Sequence, residues 1–198
     1  LQQIVAKSYS NRTGLQMDAY NEDAVTPVFG LVVKPVEGVS LYANRIEALV
    51  QGAIAPPLSS GLAIINSGEI LAPYKSTQYE AGGKLTLKRV SASLSFFTTE
   101  RATAIAIVEP GLAPNSARFA ASGRQRNRGI ELSLQAEPID GLRIITGGSV
   151  IDARLRRQTN GLNEGNKVAG VPEYLVNGNV EWDLPFVPAL TLTGRVVH

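Results

Sequence analysis

The chain has 198 residues, 44% hydrophobic and 18% charged, with a net charge of +2, one histidine and no cysteine. Its basic residues are dispersed rather than gathered into the cationic stripe of a nucleic-acid binder, and the lack of cysteine excludes a disulfide framework and a thiolate metal site. The longest apolar runs, such as Phe29 to Val33 and Leu142 to Ile145, fall far short of the roughly 20 residues a membrane-spanning helix needs, which excludes a helical membrane protein.

The dominant hydrophobic period is two, the spacing that sends successive side chains to opposite faces of a sheet. It predicts about nine strands, near 1–10, 25–34, 39–47, 75–87, 90–101, 123–136, 141–154, 171–184 and 189–198. A long loop, 11–24, follows the first strand, and the tight turn Pro35–Gly38 joins the next two. Loop 48–74, rich in Pro, Gly and Ser, leads to the strand at 75–87, which turns at Lys88–Arg89. In the next strand Val90, Ala92, Leu94 and Phe96 alternate with Ser91, Ser93 and Ser95, and Phe97 alone breaks the pattern.

After loop 102–122, Ile130, Leu132, Leu134 and Ala136 alternate with Glu131, Ser133 and Gln135. The turn Pro138–Asp140 leads to the strand at 141–154, where Gly147 and Gly148 ease close packing or bending rather than form a phosphate loop, since no helix follows. Beyond loop 155–170, Tyr174, Val176, Val180, Trp182 and Leu184 alternate with Asn177, Asn179, Glu181 and Asp183 before the turn Pro185–Pro188. The long loops have no helical period and should be surface loops with mobile tips.

Connections thus alternate strictly between short and long on strands of ten or more residues. Alternation alone suits a soluble β-sandwich or barrel equally well. The asymmetry of the connections describes an antiparallel transmembrane β-barrel, with short turns at one end and long loops at the other. Lipid offers no hydrogen bonds, so the apolar face of each strand should point outward and the polar face into the lumen.

By that parity Glu80, Lys84 and Glu131 face the lumen. Trp182, near the short turn at Pro185, fits an aromatic girdle at the interface, a buried core tryptophan being the alternative. Arg124, Arg126 and Arg128 share the parity of Ile130, Leu132 and Leu134 but sit at the long-loop end. In a sandwich they mark a strand leaving the core. In a barrel they project outward at the extracellular rim, where guanidinium groups pair with lipopolysaccharide phosphates while their stems stay apolar. With one histidine and no cysteine, the usual nucleophile, base and metal arrangements of an enzyme are nearly unavailable, and the pair Glu22 and Asp23 reads as a solvated loop pair.

Five segments then resemble, in order and spacing, the C-terminal half of the barrel of TonB-dependent outer-membrane receptors of the ferric-siderophore type. They are PVFGLVVKPVEGVSLYANRIEAL at 27–49, KSTQYEAGGKL at 75–85, GRQRNRGIELSL at 123–134, DGLRIITGGSVIDA at 140–153 and GVPEYLVNGNVEWDLP at 170–185. Arg45 stands where the family carries an aromatic residue. The resemblance implies a Gram-negative outer-membrane barrel of about 22 strands, closed by a plug, to which this chain contributes about nine strands of one barrel domain. Leu1 is not an initiator and His198 interrupts an alternating strand, so the chain reads as an internal segment lacking the plug, the TonB-interacting segment and the remaining strands.

The resemblance further implies uptake of a ferric siderophore, energised by TonB acting on the plug, by a protein that is a monomer when complete. It implies no cofactor, because the iron arrives already chelated. Glu80 and Glu131 match the wall glutamates that pair with plug arginines, and Tyr74, Gln78, Arg118 and Phe119 are candidates for contact with the chelate. Hydroxamate chelates are the preferred class, with vitamin B12, haem, carbohydrate and other metal chelates using the same architecture. A passive porin and a soluble β-rich binding module are the rival functions. The turns at Pro35 and Pro185 should face the periplasm and loops 48–74 and 102–122 the outside.

Overall fold

The computed structural model describes all residues except Ser10 and Pro188, and only the backbone of Ser8, Met17, Asp18 and Ala19. The strands are β1 (Gln2–Tyr9), β2 (Gln16–Ala24), β3 (Val28–Val36), β4 (Val39–Val50), β5 (Leu58–Ser59), β6 (Leu62–Ile64), β7 (Tyr74–Thr86), β8 (Val90–Ile107), β9 (Ser116–Ala136), β10 (Leu142–Arg157), β11 (Tyr174–Asp183) and β12 (Thr191–Val197). One curtain of antiparallel neighbours runs β12-β11-β10-β9-β8-β7-β4-β3. Its end strands do not pair with each other, so among the described residues it is an open wall rather than a closed barrel.

Each neighbouring pair in the wall is also adjacent in sequence once the loop strands β5 and β6 are set aside, which is the meander that short hairpins produce. The β3–β4 turn is tighter than its proline suggests. Pro35 stays within β3 at a register shift between Val33 and Val36, and the reversal itself falls on Glu37 and Gly38. Gly38 has φ +79°, and a side chain there would also meet the Thr86 carbonyl oxygen at 2.6 Å, so the turn requires glycine on both counts. The β11–β12 turn includes Pro188, which lies outside the described residues.

The long connections differ most from the sequence pattern. Residues 11–24 are no simple loop, because β2 pairs back on β1 in a separate two-stranded hairpin, which meets the wall where the Leu49 N–H donates to Gln2 Oε1 at 3.0 Å. Strand β8 runs on to Ile107 and β9 starts at Ser116, which shortens the loop 102–122 to the stretch between them. Alternation weakens there because a register shift between Thr103 and Ile105 reverses which β9 side chains share a face, so a fixed period of two misses the extension.

Residues 51–73 form a packed lobe instead of a free loop. β5 pairs with β6, β6 adds parallel to the start of β9, and Ile54 bridges Ile70. Ala55 and Ile64 are buried with Ala106 and Ala117 of the wall, with Leu62 and Phe119 packed around them. Asn66 grips Phe119 twice, donating from Nδ2 to its carbonyl oxygen at 2.9 Å and accepting its N–H at 2.8 Å, so a side-chain amide completes what a neighbouring strand would otherwise supply. The last loop, after β10, holds a single 3₁₀ turn at Thr159–Gly161 and a bridge from Arg154 to Lys167.

Candidate functional site

Cross-strand register fixes which side chains share a face. One row on the polar side reads Tyr42, Gly82, Ser95, Glu131 and Ser149, and the next row towards the loops reads Asn44, Glu80, Phe97 and Gly129. The opposite face carries Leu31, Ala43, Ala81, Phe96, Ile130, Val150 and Tyr174. These exposed apolar residues, with Phe96 at 53% and Val150 at 52% of full exposure, would be intolerable against water but suit lipid. The polar face is therefore the lumen.

On that lumenal face Glu80 and Glu131 line one concavity with Tyr42, Ser95, Ser133 and Asn177. The Tyr42 hydroxyl donates to Glu80 Oε1 at 2.7 Å, Gln78 Nε2 donates to Oε2 at 3.0 Å, and Thr99 Oγ1 donates to Gln78 Oε1 at 3.0 Å. Neutral donors thus hold the Glu80 carboxylate in place, and among the described residues neither Glu80 nor Glu131 forms an ion pair. Beside Glu80, Asn44 Oδ1 is buried with no hydrogen-bond partner among the described residues.

Two lumenal rings lie over glycines of the adjacent strand. A Cβ on Gly82 would stand 2.8 Å from the Tyr42 ring, and one on Gly129 would stand 2.8 Å from Phe97 Cζ. Phe97, which breaks the alternation of β8, points into the lumen because the smooth face of Gly129 receives its ring.

The candidate chelate contacts separate. Tyr74 is buried and its hydroxyl accepts the N–H of Ala53, while Phe119 packs against the lobe core, so both hold the lobe to the wall. Gln78 belongs to the Glu80 network, and Arg118 lies 3.6 Å from Glu109 on the opposite side of the β8–β9 loop. The four are not gathered around one cavity.

Arg124, Arg126 and Arg128 stand on the outer face opposite Ala102, Glu100 and Thr98. Arg124 lies 3.6 Å from Glu100, Arg128 lies 3.1 Å from Asp152, and Arg154 lies 2.7 Å from the same Asp152. The row of Arg128 and Thr98 continues into Tyr79, Arg45 and Phe29, with Arg45 stacked 5.8 Å from the centre of the Tyr79 ring and also paired with Glu47. Arginine here keeps an aromatic belt intact by covering a neighbouring ring.

At the short-turn end Trp182 meets Phe186 edge to face, with ring centres 6.4 Å apart at 87°. From Tyr174 to Trp182 along β11 is about 26 Å at the usual strand rise, or about 20 Å along the normal for a strand tilted near 40°. Aromatic side chains at both ends thus bracket a stretch somewhat shorter than the apolar band of about 25 Å that such barrels present to lipid. Tyr42 and Asn44 were missed as partners of Glu80: the alternation of Ser40, Tyr42 and Asn44 with Leu41 and Ala43 signals only a lumenal face, and the β4–β7 register sets them beside it. The lumenal cluster in which Arg143 reaches Asp183 at 2.8 Å and Glu181 at 3.2 Å gave no sequence signal beyond parity.

Residues 4–196 match the family model described as TonB dependent receptor-like, beta-barrel. The chain is 38% identical over 199 residues to the ferrichrome receptor FcuA of Yersinia enterocolitica, an alignment covering all of this chain and 25% of that protein. Its fold is similar to that of BauA, the ferric preacinetobactin receptor of Acinetobacter baumannii, with a TM-score of 0.73 and 33% identity over 96% of this chain and 27% of that one. The siderophore receptor PiuA of Acinetobacter baumannii shares the fold at a TM-score of 0.71 and 20% identity, over 96% of this chain and 28% of that one. The chain spans about a quarter of the length of these relatives. An antiparallel wall with an apolar outer face and a polar lumen is how a membrane barrel is built, and with residues 4–196 matching its model the chain belongs to the TonB-dependent receptor β-barrel family.

Proposed function

We propose that this chain is part of the wall of a Gram-negative outer-membrane receptor that takes up a ferric siderophore with energy from TonB, and that Glu80 and Glu131 latch a plug inside the barrel. The observation that carries the latch is the lumenal patch itself, where Glu80 is held by Tyr42 and Gln78, forms no ion pair among the described residues, and adjoins Asn44 Oδ1, which has no hydrogen-bond partner among them. A carboxylate closed in by a protein plug needs a cationic partner there, because leaving it buried and unpaired costs about 3–5 kcal/mol. Arginines on the plug answer that need and release it when the plug is pulled.

The substrate assigned is a hydroxamate-type ferric chelate, supported by the 38% identity to a ferrichrome receptor. The iron enters as chelated cargo, so no protein ligand to the metal is required. Arg124, Arg126 and Arg128 are assigned to the phosphates of lipopolysaccharide at the outer rim, and the complete protein to a monomer.

The test is growth under iron limitation of a strain whose only siderophore receptor is the full-length protein, on a panel of ferric chelates with TonB present or deleted. TonB-dependent growth on a hydroxamate chelate is expected. Growth on that chelate without TonB, or no growth on any iron chelate, overturns the uptake reading. In the same strain, Glu80→Gln combined with Glu131→Gln should admit large antibiotics that the parent excludes. Unchanged exclusion overturns the latch.

A further inference from the structure

Above Glu80 the lumenal face changes character. Register aligns Ile46, Gln78, Thr99, Asn127 and Ala153 in one row, and Ala48, Ser76, Arg101, Gln125 and Leu155 in the next row towards the loops. Arg101 is the single charged side chain in these two rows. It stands about 13 Å along β8 from Phe97 at the usual strand rise.

The guanidinium is exposed to the lumen and takes part in no ion pair among the described residues. On the outer face, by contrast, Arg45 meets Glu47, Arg124 meets Glu100, and Arg128 and Arg154 share Asp152. The small side chains of Ala48 and Ser76 leave room beside Arg101 on the β4–β7 side. On the β9 side its direct partner is Gln125, whose Nε2 donates to Asn127 Oδ1 at 3.0 Å, so two amides form a short rack next to the cation.

We propose that Arg101, with Gln125 and Asn127 beside it, contacts the iron-bound oxygens of the incoming chelate and helps select it. The proposal rests on the uptake reading above and names for it a ligand-selecting residue of the wall. Hydroxamate oxygens that coordinate iron carry negative charge, and a planar guanidinium donates to two neighbouring oxygens at once. The amides add neutral donors for the remaining oxygens of the chelate. A plug carboxylate is the competing occupant. The plug surface that would answer Glu80 is cationic, however, and a basic face there supplies no partner to a second cation nearby. Cargo arriving from the long-loop end meets Arg101 before it reaches the Glu80 row.

The experiment uses de-energised cells whose only siderophore receptor is the full-length protein, with binding of radioiron-labelled ferrichrome read against concentration and folded receptor counted by heat-modifiable gel mobility. Arg101→Gln should raise the half-saturating concentration at least about tenfold, the scale of one lost charge-assisted contact. Arg101→Lys keeps the charge without the two-point geometry and should fall between the parent and Arg101→Gln. Lys84→Gln removes a lumenal cation on the other side of the Glu80 row and should bind as the parent does. Unchanged half-saturation in Arg101→Gln overturns the proposal and leaves the uptake reading standing; if that variant also admits large antibiotics, Arg101 pairs with the plug instead. An equal rise in Lys84→Gln overturns it too, since general lumenal charge would then suffice. A parent that binds no ferric hydroxamate sinks the hydroxamate assignment and this proposal together.

Discussion

The Tyr42 hydroxyl on β4 donates to the Glu80 carboxylate on β7 at 2.7 Å, on the lumenal side of the wall. Because Tyr42 also lays its ring over Gly82, one side chain both smooths the wall and fixes the direction in which the carboxylate faces. Tyr42→Phe keeps the ring and removes the donor. The barrel should lose about 1.5–3 kcal/mol, the net worth of a hydrogen bond to a charged group, measured as a lower urea midpoint of the folded receptor. Because both changes touch the same bond, Glu80→Gln should lower the midpoint less in that variant than in the parent.

Phe97 over Gly129 makes the opposite kind of test, one of shape. Gly129→Ala should sharply reduce the yield of folded receptor, because its Cβ would stand 2.4 Å from the Val150 carbonyl oxygen as well as 2.8 Å from the Phe97 ring. Removing the ring with Phe97→Ala relieves only the second contact, so the double variant should remain poorly folded. Full recovery in the double variant, read by heat-modifiable mobility, would show that the ring alone makes the position demand glycine.

The lobe at 51–73 should behave as a fixed part of the wall. Asn66→Ala removes both bonds to the Phe119 backbone, a loss of about 1–3 kcal/mol for two hydrogen bonds. The amides of Ile64 and Ile65, which bond to Pro57 and Ala117 carbonyls, should then exchange with solvent markedly faster in the full receptor. Wall amides of β7 and β8 below the lobe should be unaffected.

Trp182 should lie at the interface rather than mid-membrane. In a receptor whose other tryptophans are replaced by phenylalanine, its fluorescence should be quenched by lipids labelled near the headgroup and scarcely by lipids labelled near the chain terminus. Stronger quenching from the bilayer centre would displace the aromatic row that Trp182 and Phe186 form and invalidate the band drawn from Tyr174 to Trp182.

Much of the wall was legible because a strand between lipid and lumen writes its two environments into alternate residues. Val90 to Phe96 and Ile130 to Leu134 carry that record plainly, and it placed Glu80 and Glu131 in the lumen before any partner was known. Where the wall leaves the membrane the record stops. Upper β8 and upper β9 pack Ala106 and Ala117 against the lobe, so apolar and polar side chains no longer need to alternate there, and these segments, like β2, read as loops although they pair. The lobe was invisible for a related reason: its order depends on contacts of Ala55 and Ile64 with Ala106 and Ala117, residues whose own local sequence carries no period.

The sequence by itself therefore determined the order of the hairpins and the facing of most wall side chains across the membrane band, because those are set by local periodicity and turn chemistry, while the family was legible only through the resemblance of its five segments. Tertiary structure alone decided the neighbours. Strand register brought Tyr42 to Glu80 and Thr99 to Gln78, turned Phe97 onto Gly129, committed Tyr74 and Phe119 to the lobe, and set Arg126 opposite Glu100. Such pairings span tens of residues and depend on shifts of a single position between strands, which no periodicity within one strand can specify.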